Sequence, residues 1–363
     1  MPRSPEELKA LPVAEVIREV GVSRATQIKG PAALLFTYRC SISCAHCLFA
    51  CNPQVASGRM TVEDALEFLR QVHRLDRAVH IAGGEVFLFW SELAEVVEKA
   101  GKLGLAPHFI ESNAFWAVND AIVRERLMKL RDWGVLGMYF SADHYHQAYV
   151  PPGNFLRARA IAREIFDQRN VMATQAPPEH IHWLPILARD EKRFAEKVRV
   201  APPTMLGSAA IQLAHLVPAH PVDSLPRCGW DKSAGQDCFA AFDPELMCEV
   251  HIDLYGNIQT NCGVILGNAK KVSVPDLFAR GVAKGNPIVE ILARKGPVGL
   301  LAHAREKGCP DITHATQKCH LCFMVRTFLR PHYPNVLGPA EIYPVPFAEL
   351  LDDRRARAAN RGE

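Results

Sequence analysis

From about residue 31 to 215, short apolar runs alternate with longer stretches whose apolar positions recur at helical spacing. Ala33–Tyr38, Ala78–Ala82, Pro107–Glu111, Leu136–Ser141 and Val171–Gln175 have the length and apolar character of buried strands. Thr61 stands before Val-Glu-Asp-Ala, an N-cap with an acid at the third helical position, and predicts a helix to about Leu75. Ser91–Lys102, Asp120–Trp133, Phe155–Asp167 and Glu191–Val198 predict helices on the same grounds. This alternation predicts an α/β fold, with a parallel sheet closed or partly closed by βα units. In such barrels chemistry sits on the loops after the strand C-termini.

After about Pro218 the texture changes. Pro, Gly and Cys become frequent, and Met247–Leu254, Tyr255-Gly256-Asn257 and Ile258–Thr260 read as a hairpin around a glycine-containing turn. Pro297–Lys307 and His320–Leu329 suggest later helices. The organisation expected is a helical extension over 1–30, a barrel over 31–218, a small cysteine-rich unit over 219–340 and a tail over 341–363, whose Arg354–Arg361 run reads as a solvated end.

Composition narrows the class. With 48% hydrophobic and 22% charged residues the chain can bury a real core. A formal charge of +3 gives no strong field for nucleic acid or an anionic membrane, so neither is expected as a partner. No apolar run reaches the roughly 18 residues that span a bilayer, and Met1–Ala10 lacks the apolar centre of a secretory signal, which points to the cytoplasm. Eleven cysteines, an odd number, fit a disulfide framework poorly; several stand at ligand-like spacings, so metal or redox chemistry is the better reading.

The segment Phe36-Thr-Tyr-Arg-Cys40-Ser-Ile-Ser-Cys44-Ala-His-Cys47 follows the first strand. Three soft thiolates on so compact a loop can hold three irons of a [4Fe–4S] cube and leave the fourth open. The competing reading is structural zinc, with Cys51 or His46 as the fourth ligand. This Cys-x3-Cys-x2-Cys spacing resembles the radical S-adenosylmethionine (SAM) superfamily over about residues 31–215. The resemblance implies a partial (βα)6 TIM-like barrel, SAM as cofactor, a 5′-deoxyadenosyl radical and a flavodoxin- or ferredoxin-type electron donor. It also implies SAM-binding positions. Gly83-Gly84-Glu85 ends the second strand, as the family's glycine–glycine–glutamate segment does, with Val86 where proline is usual. Ser112-Asn113 and Ser141 with Asp143, at the ends of the third and fourth strands, resemble the positions that contact ribose and carboxylate; strand-end caps are the plainer reading. Pro203 and Gly207–Ala210 loosely resemble the sixth-strand segment beside the adenine.

Cys262 near the hairpin and Cys319-His-Leu-Cys322 look like the auxiliary-cluster unit called twitch, a shortened relative of the SPASM domain. That implies a second [4Fe–4S] cluster, whereas a four-cysteine zinc knuckle is the alternative. The fourth thiol is Cys238 or Cys248. Relatives with a similar Cys-Phe segment, Tyr-Gly-Asn turn, Cys-His-Leu-Cys pair and Arg-Pro-rich end favour Cys238. Asp143-His144-Tyr145-His146, at the barrel mouth, could orient substrate or carry protons, or simply pack on the rim. Cys228 and Cys309 are spare thiols, either hydrogen-atom donors or apolar filler. Three functions compete: modification of a ribosomally made peptide, dehydrogenation or rearrangement of a small metabolite, and iron–sulfur electron transfer without SAM chemistry. Gly83-Gly84-Glu85 argues against the third. Only 30 residues precede the first strand, too few for a leader-binding domain, although such a domain can be a separate protein.

Overall fold

Five short strands run parallel in chain order: β1 (Pro31–Leu35), β2 (Ala78–Ala82), β3 (Phe109–Ser112), β4 (Gly137–Phe140) and β5 (Val171–Ala173). The computed structural model describes residues 3–174, 178–225, 238 and 240–351. β1 and β2 are covered on both faces, which is why they read as apolar runs with little alternation. The helix Val62–His73 starts where the Thr61 hydroxyl accepts from the Asp64 amide at 3.1 Å. It buries Ala65, Phe68, Leu69 and Val72 along one stripe, the larger three contributing about 1.5–3 kcal/mol each. Trp90–Lys102, Asp120–Asp132 and Pro152–Ile165 cover the sheet by the same pattern. The result is a mixed α/β architecture with a central, mostly parallel sheet in the form of a partial barrel.

The expected hairpin is present, and it joins the barrel's own sheet. A small two-stranded pair, β6 (His220–Pro221) and β10 (His314–Ala315), stands apart. β7 (Val250–Asp253) lies parallel to β1, with Ala32 opposite Val250 and Leu35 opposite Asp253. β8 (Asn257–Thr260) and β9 (Ile265–Asn268) follow antiparallel, giving the order β5-β4-β3-β2-β1-β7-β8-β9. Pairing with β7 satisfies the backbone groups of β1 on the side away from β2. Gly256 turns the hairpin with φ +82°, and the Asp253 carboxylate accepts from the Tyr255 and Asn257 amides, both at 2.9 Å.

Two expectations are corrected. The segment compared with a sixth strand is not extended: Ser208–Gln212 is a short helix, because Gly207 (φ +52°) turns the chain onto the loop after β1, where the Ser208 amide donates to the Cys47 carbonyl at 2.9 Å. The helix expected from Pro297 begins at Pro287 and kinks at Gly296 (φ +61°), which lets Pro297 open a new helical segment.

The helices Pro5–Ala10 and Val13–Lys29 lie at the N-terminal end of the strands. Val16, Ile17, Val22 and Ala25 pack on Ala78 and Phe109, the first residues of β2 and β3. That end is closed with apolar side chains. Among the described residues no helix is long and apolar enough to cross a membrane.

Candidate active site

The loop after β1 carries Cys40, Cys44 and Cys47, and its shape is held by backbone bonds. The Cys40 amide donates to the Asn52 carbonyl (3.2 Å) and the Cys47 amide to the Cys44 carbonyl (3.1 Å). Burial raises the Cys40 thiol to about 12, with Glu85 and Cys47 adding to it, and raises Cys44 well above its ordinary value. Cys47 is the exception, lowered to about 6 by a hydrogen bond from Cys51. Three crowded thiols, two of which resist ionisation where no cation stands, suit a metal centre, whose charge would hold them as thiolates.

The ends of β2 and β3 press against this loop. At Gly83 (φ +138°) a Cβ would lie 2.4 Å from the Thr37 carbonyl oxygen, and at Gly84 2.1 Å from that of Arg39. No larger residue fits between β2 and the cysteine loop. Glu85 is buried beneath, accepting from the amides of Phe87 (3.0 Å) and Asn113 (2.8 Å) and from the Ser112 hydroxyl (3.1 Å). Burial raises its carboxyl to about 7 against those donors. Asn113 in turn donates to the Ser41 hydroxyl at 3.1 Å and faces the Cys40 sulfur at 3.8 Å. Glu85 therefore sets the position of Ser112 and Asn113, and through Asn113 that of the cysteine loop.

A cavity of about 420 Å³ opens over these elements, lined by Cys40, Cys44, Cys47, Gly83, Gly84, Ser112, Asn113 and Ser141. Its deeper wall holds four residues that no motif of the sequence marks: His80, Glu111, Glu249 and His251. His80 and His251 both stand opposite Ala33, on the strands either side of β1, and their Nε2 atoms lie 3.3 and 3.2 Å from Glu249 Oε1. The available signal was a charged residue inside an otherwise apolar strand, as in Ala-Val-His80-Ile-Ala and Phe-Ile-Glu111-Ser.

Residues 34–169 match the radical SAM superfamily. That match runs from the end of β1 to just beyond the helix Pro152–Ile165. Bacillus subtilis (strain 168) YydG, whose name refers to peptide biosynthesis, is 30% identical over 117 residues, 31% of this chain and 35% of its own length. The chain thus matches about a third of that relative's length. Among solved structures, BtrN in complex with AdoMet and 2-DOIA aligns with 13% identity and a TM-score of 0.40, over 78% of this chain and 92% of that one. Native anSMEcpe with bound AdoMet and Cp18Cys peptide aligns with 11% identity and a TM-score of 0.32, over 85% and 99%.

The match to that superfamily implies one [4Fe–4S] cluster and SAM, and the cavity suits both. Cys40, Cys44 and Cys47 face one space, and the Gly83-Gly84 backbone and Ser112, Asn113 and Ser141 border it. Two residues expected at the cofactor stand behind this lining. Glu85 positions Ser112 and Asn113, as above. The Asp143 carboxylate caps the helix His144–Gln147 and holds His146 Nδ1 at 2.9 Å and His46 Nε2 at 3.3 Å. Burial would raise Asp143, yet His146 and His46 keep it well below the usual range. His46 stacks on Tyr145, ring centres 4.3 Å apart, while His144 turns towards Phe194 and is lowered to about 4 by burial.

The remaining thiols divide. Cys262, after β8, and Cys319 and Cys322, on the helix Lys318–Leu329, surround the fully buried Arg326. Burial acts to lower that guanidinium, but Tyr343 and the three thiols raise it. Arg326 Nε and Nη2 and the Tyr343 hydroxyl are buried with no hydrogen-bond partner among the described residues. Orphan donors around three thiols fit an anionic group such as a thiolate-bound cluster. Cys238 is half-buried just before Ala240–Phe242; Cys248 is exposed, and acts on Arg77 at the opposite end of β7 from the hairpin turn. Cys309 packs in the apolar core, raised to about 11 by burial, and does not line the cavity. Cys228 lies outside the described residues.

Proposed function

We propose that this chain is a radical SAM enzyme that modifies a residue of a ribosomally made peptide, receives electrons from a flavodoxin or ferredoxin, and carries a second [4Fe–4S] cluster on Cys238, Cys262, Cys319 and Cys322. The observation that carries the catalytic reading is one cavity shared by the three loop thiols, the Gly83-Gly84 backbone and a polar deeper wall. An electron-transfer module has no use for such a wall. When bound, the cluster and SAM together supply a 5′-deoxyadenosyl radical able to take a substrate hydrogen. The chain's own part is placement: Gly83 and Gly84 give backbone access, Glu85 fixes Ser112 and Asn113, and His46, stacked on Tyr145, lines the cavity. The name of YydG supports a peptide substrate. Arg326 and Tyr343, with buried donors facing three thiols, support the second cluster.

The test is anaerobic reconstitution of the full chain. The protein should bind about eight irons, and Cys40, Cys44 and Cys47 all replaced by alanine should leave about four. With dithionite and SAM the wild type should release 5′-deoxyadenosine. In the triple variant, Cys238→Ala should remove the remaining iron and Cys248→Ala should keep it; the reverse result gives the fourth position to Cys248. A fully loaded protein that forms no 5′-deoxyadenosine would leave only electron transfer.

A further inference from the structure

The deeper wall of the cavity contains an acid with little counter-charge. Glu249 is well supplied: although burial raises it, His251, His80 and Arg77 bring it down to about 2. Glu111 is not. Its one ion-pair partner among the described residues is His80 Nε2 at 3.4 Å, beyond good hydrogen-bond geometry for a charged pair. No cationic side chain offsets its burial, which raises it to about 8 with a further push from Glu249. Glu111 nevertheless keeps 34% of its side-chain surface open, although it sits deep inside the barrel. That open surface faces the cavity, which Glu111 lines together with Glu249, His80 and His251.

An interior carboxyl with so little counter-charge is costly to keep ionised unless something else brings the charge. A metal ion is a poor candidate. Among the described residues the group whose ligand atoms converge within 4.8 Å of one another is His46, Asp143 and His146, not this one. Separated acceptors suit an organic cation, whose several N–H groups point in different directions.

We propose that Glu111 and Glu249 bind a terminal ammonium or guanidinium of the substrate at the bottom of the cavity, so that a cationic side chain enters the barrel charge first, with its stem extending back towards the cysteine loop. This rests on the enzymatic reading for its purpose, and on the peptide reading for its natural source, a lysine, ornithine or arginine residue. A small amine would present the same chemistry.

The experiment uses the cluster-loaded, SAM-bound full chain under anaerobic conditions. Binding of Nα-acetyl-lysine methylamide, its norleucine counterpart and agmatine is measured by equilibrium dialysis, and 5′-deoxyadenosine formation is followed on the same samples. The lysine compound should bind at least about tenfold more tightly than norleucine, and Glu111→Gln should remove that preference. Agmatine binding as tightly as the lysine compound would support the cation site and point to a free amine as its source. Equal affinity for lysine and norleucine overturns the proposal, and so does a preference that survives in Glu111→Gln. The wild-type comparison decides even if the variant does not fold. A lysine preference without 5′-deoxyadenosine would overturn the enzymatic reading and leave the cation site standing.

Discussion

Replacing Gly84 with alanine is the sharpest test of how the second strand holds the cysteine loop. The new methyl would stand 2.1 Å from the Arg39 carbonyl oxygen, 2.5 Å from its carbon and 3.1 Å from the Cys40 nitrogen. All three are backbone atoms, so no side chain can swing away. Restoring ordinary contact needs a shift of about 1 Å in the residues that lead into Cys40. That shift breaks the Gly84 amide's bond to the Thr37 carbonyl (2.7 Å) and the Glu85 amide's bond to the Arg39 carbonyl (3.0 Å). Two hydrogen bonds at about 0.5–1.5 kcal/mol each and overpacking at about 1–3 kcal/mol give a destabilisation of about 2–6 kcal/mol. Gly58 supplies the control: it has nothing within 4 Å of its would-be Cβ and no positive φ, so Gly58→Ala should be close to neutral. Thermal unfolding, iron per chain and SAM binding would be measured on both variants. Gly84→Ala should lower Tm by several degrees and lose iron and SAM affinity together. If it matches Gly58→Ala in all three, the close approach of the Gly84 backbone to the loop is not what places Cys40.

Glu111 also predicts a pH effect. Its folded pKa, about 8, lies above the ordinary 4.5, so the folded state keeps a proton that the unfolded state has lost, and stability falls as pH rises from 4.5 to 8. His80, lowered to about 4, acts in the opposite sense only up to its ordinary 6.5. The Tm difference between wild type and Glu111→Gln should therefore grow in the variant's favour between pH 6.5 and 8; a constant difference would show that Glu111 does not titrate there. For the proposed second cluster, Arg326→Met removes a buried positive charge beside Cys262, Cys319 and Cys322. A cation favours the reduced, more negative state, so the variant's auxiliary potential should fall by about 60 mV or more, read by EPR-monitored redox titration in the protein lacking Cys40, Cys44 and Cys47. An unchanged potential would place that cluster elsewhere.

Local pattern alone determined the alternation of strands and helices and the loop of Cys40, Cys44 and Cys47. Both depend on neighbours in sequence: apolar runs of strand length, the Thr61 cap, and thiols closely spaced on one loop. The glycine pair was legible too, since its need for close backbone approach is local to the end of β2. Tertiary structure decided the rest. That β7 adds to β1 depends on a strand more than 200 residues away along the chain, and no periodicity in either segment announces the pairing. Glu85 and Asp143 read as ligand contacts from their motifs, yet they lie behind the cavity lining, because each finds protein donors nearer than the open space. The polar wall of His80, Glu111, Glu249 and His251 exists only through register. Ala33 brings the two histidines level across β1, and strand alternation turns Glu249 and His251 to the same face. Each of those four is an ordinary polar residue in its own segment, and only closure of the sheet makes them one site.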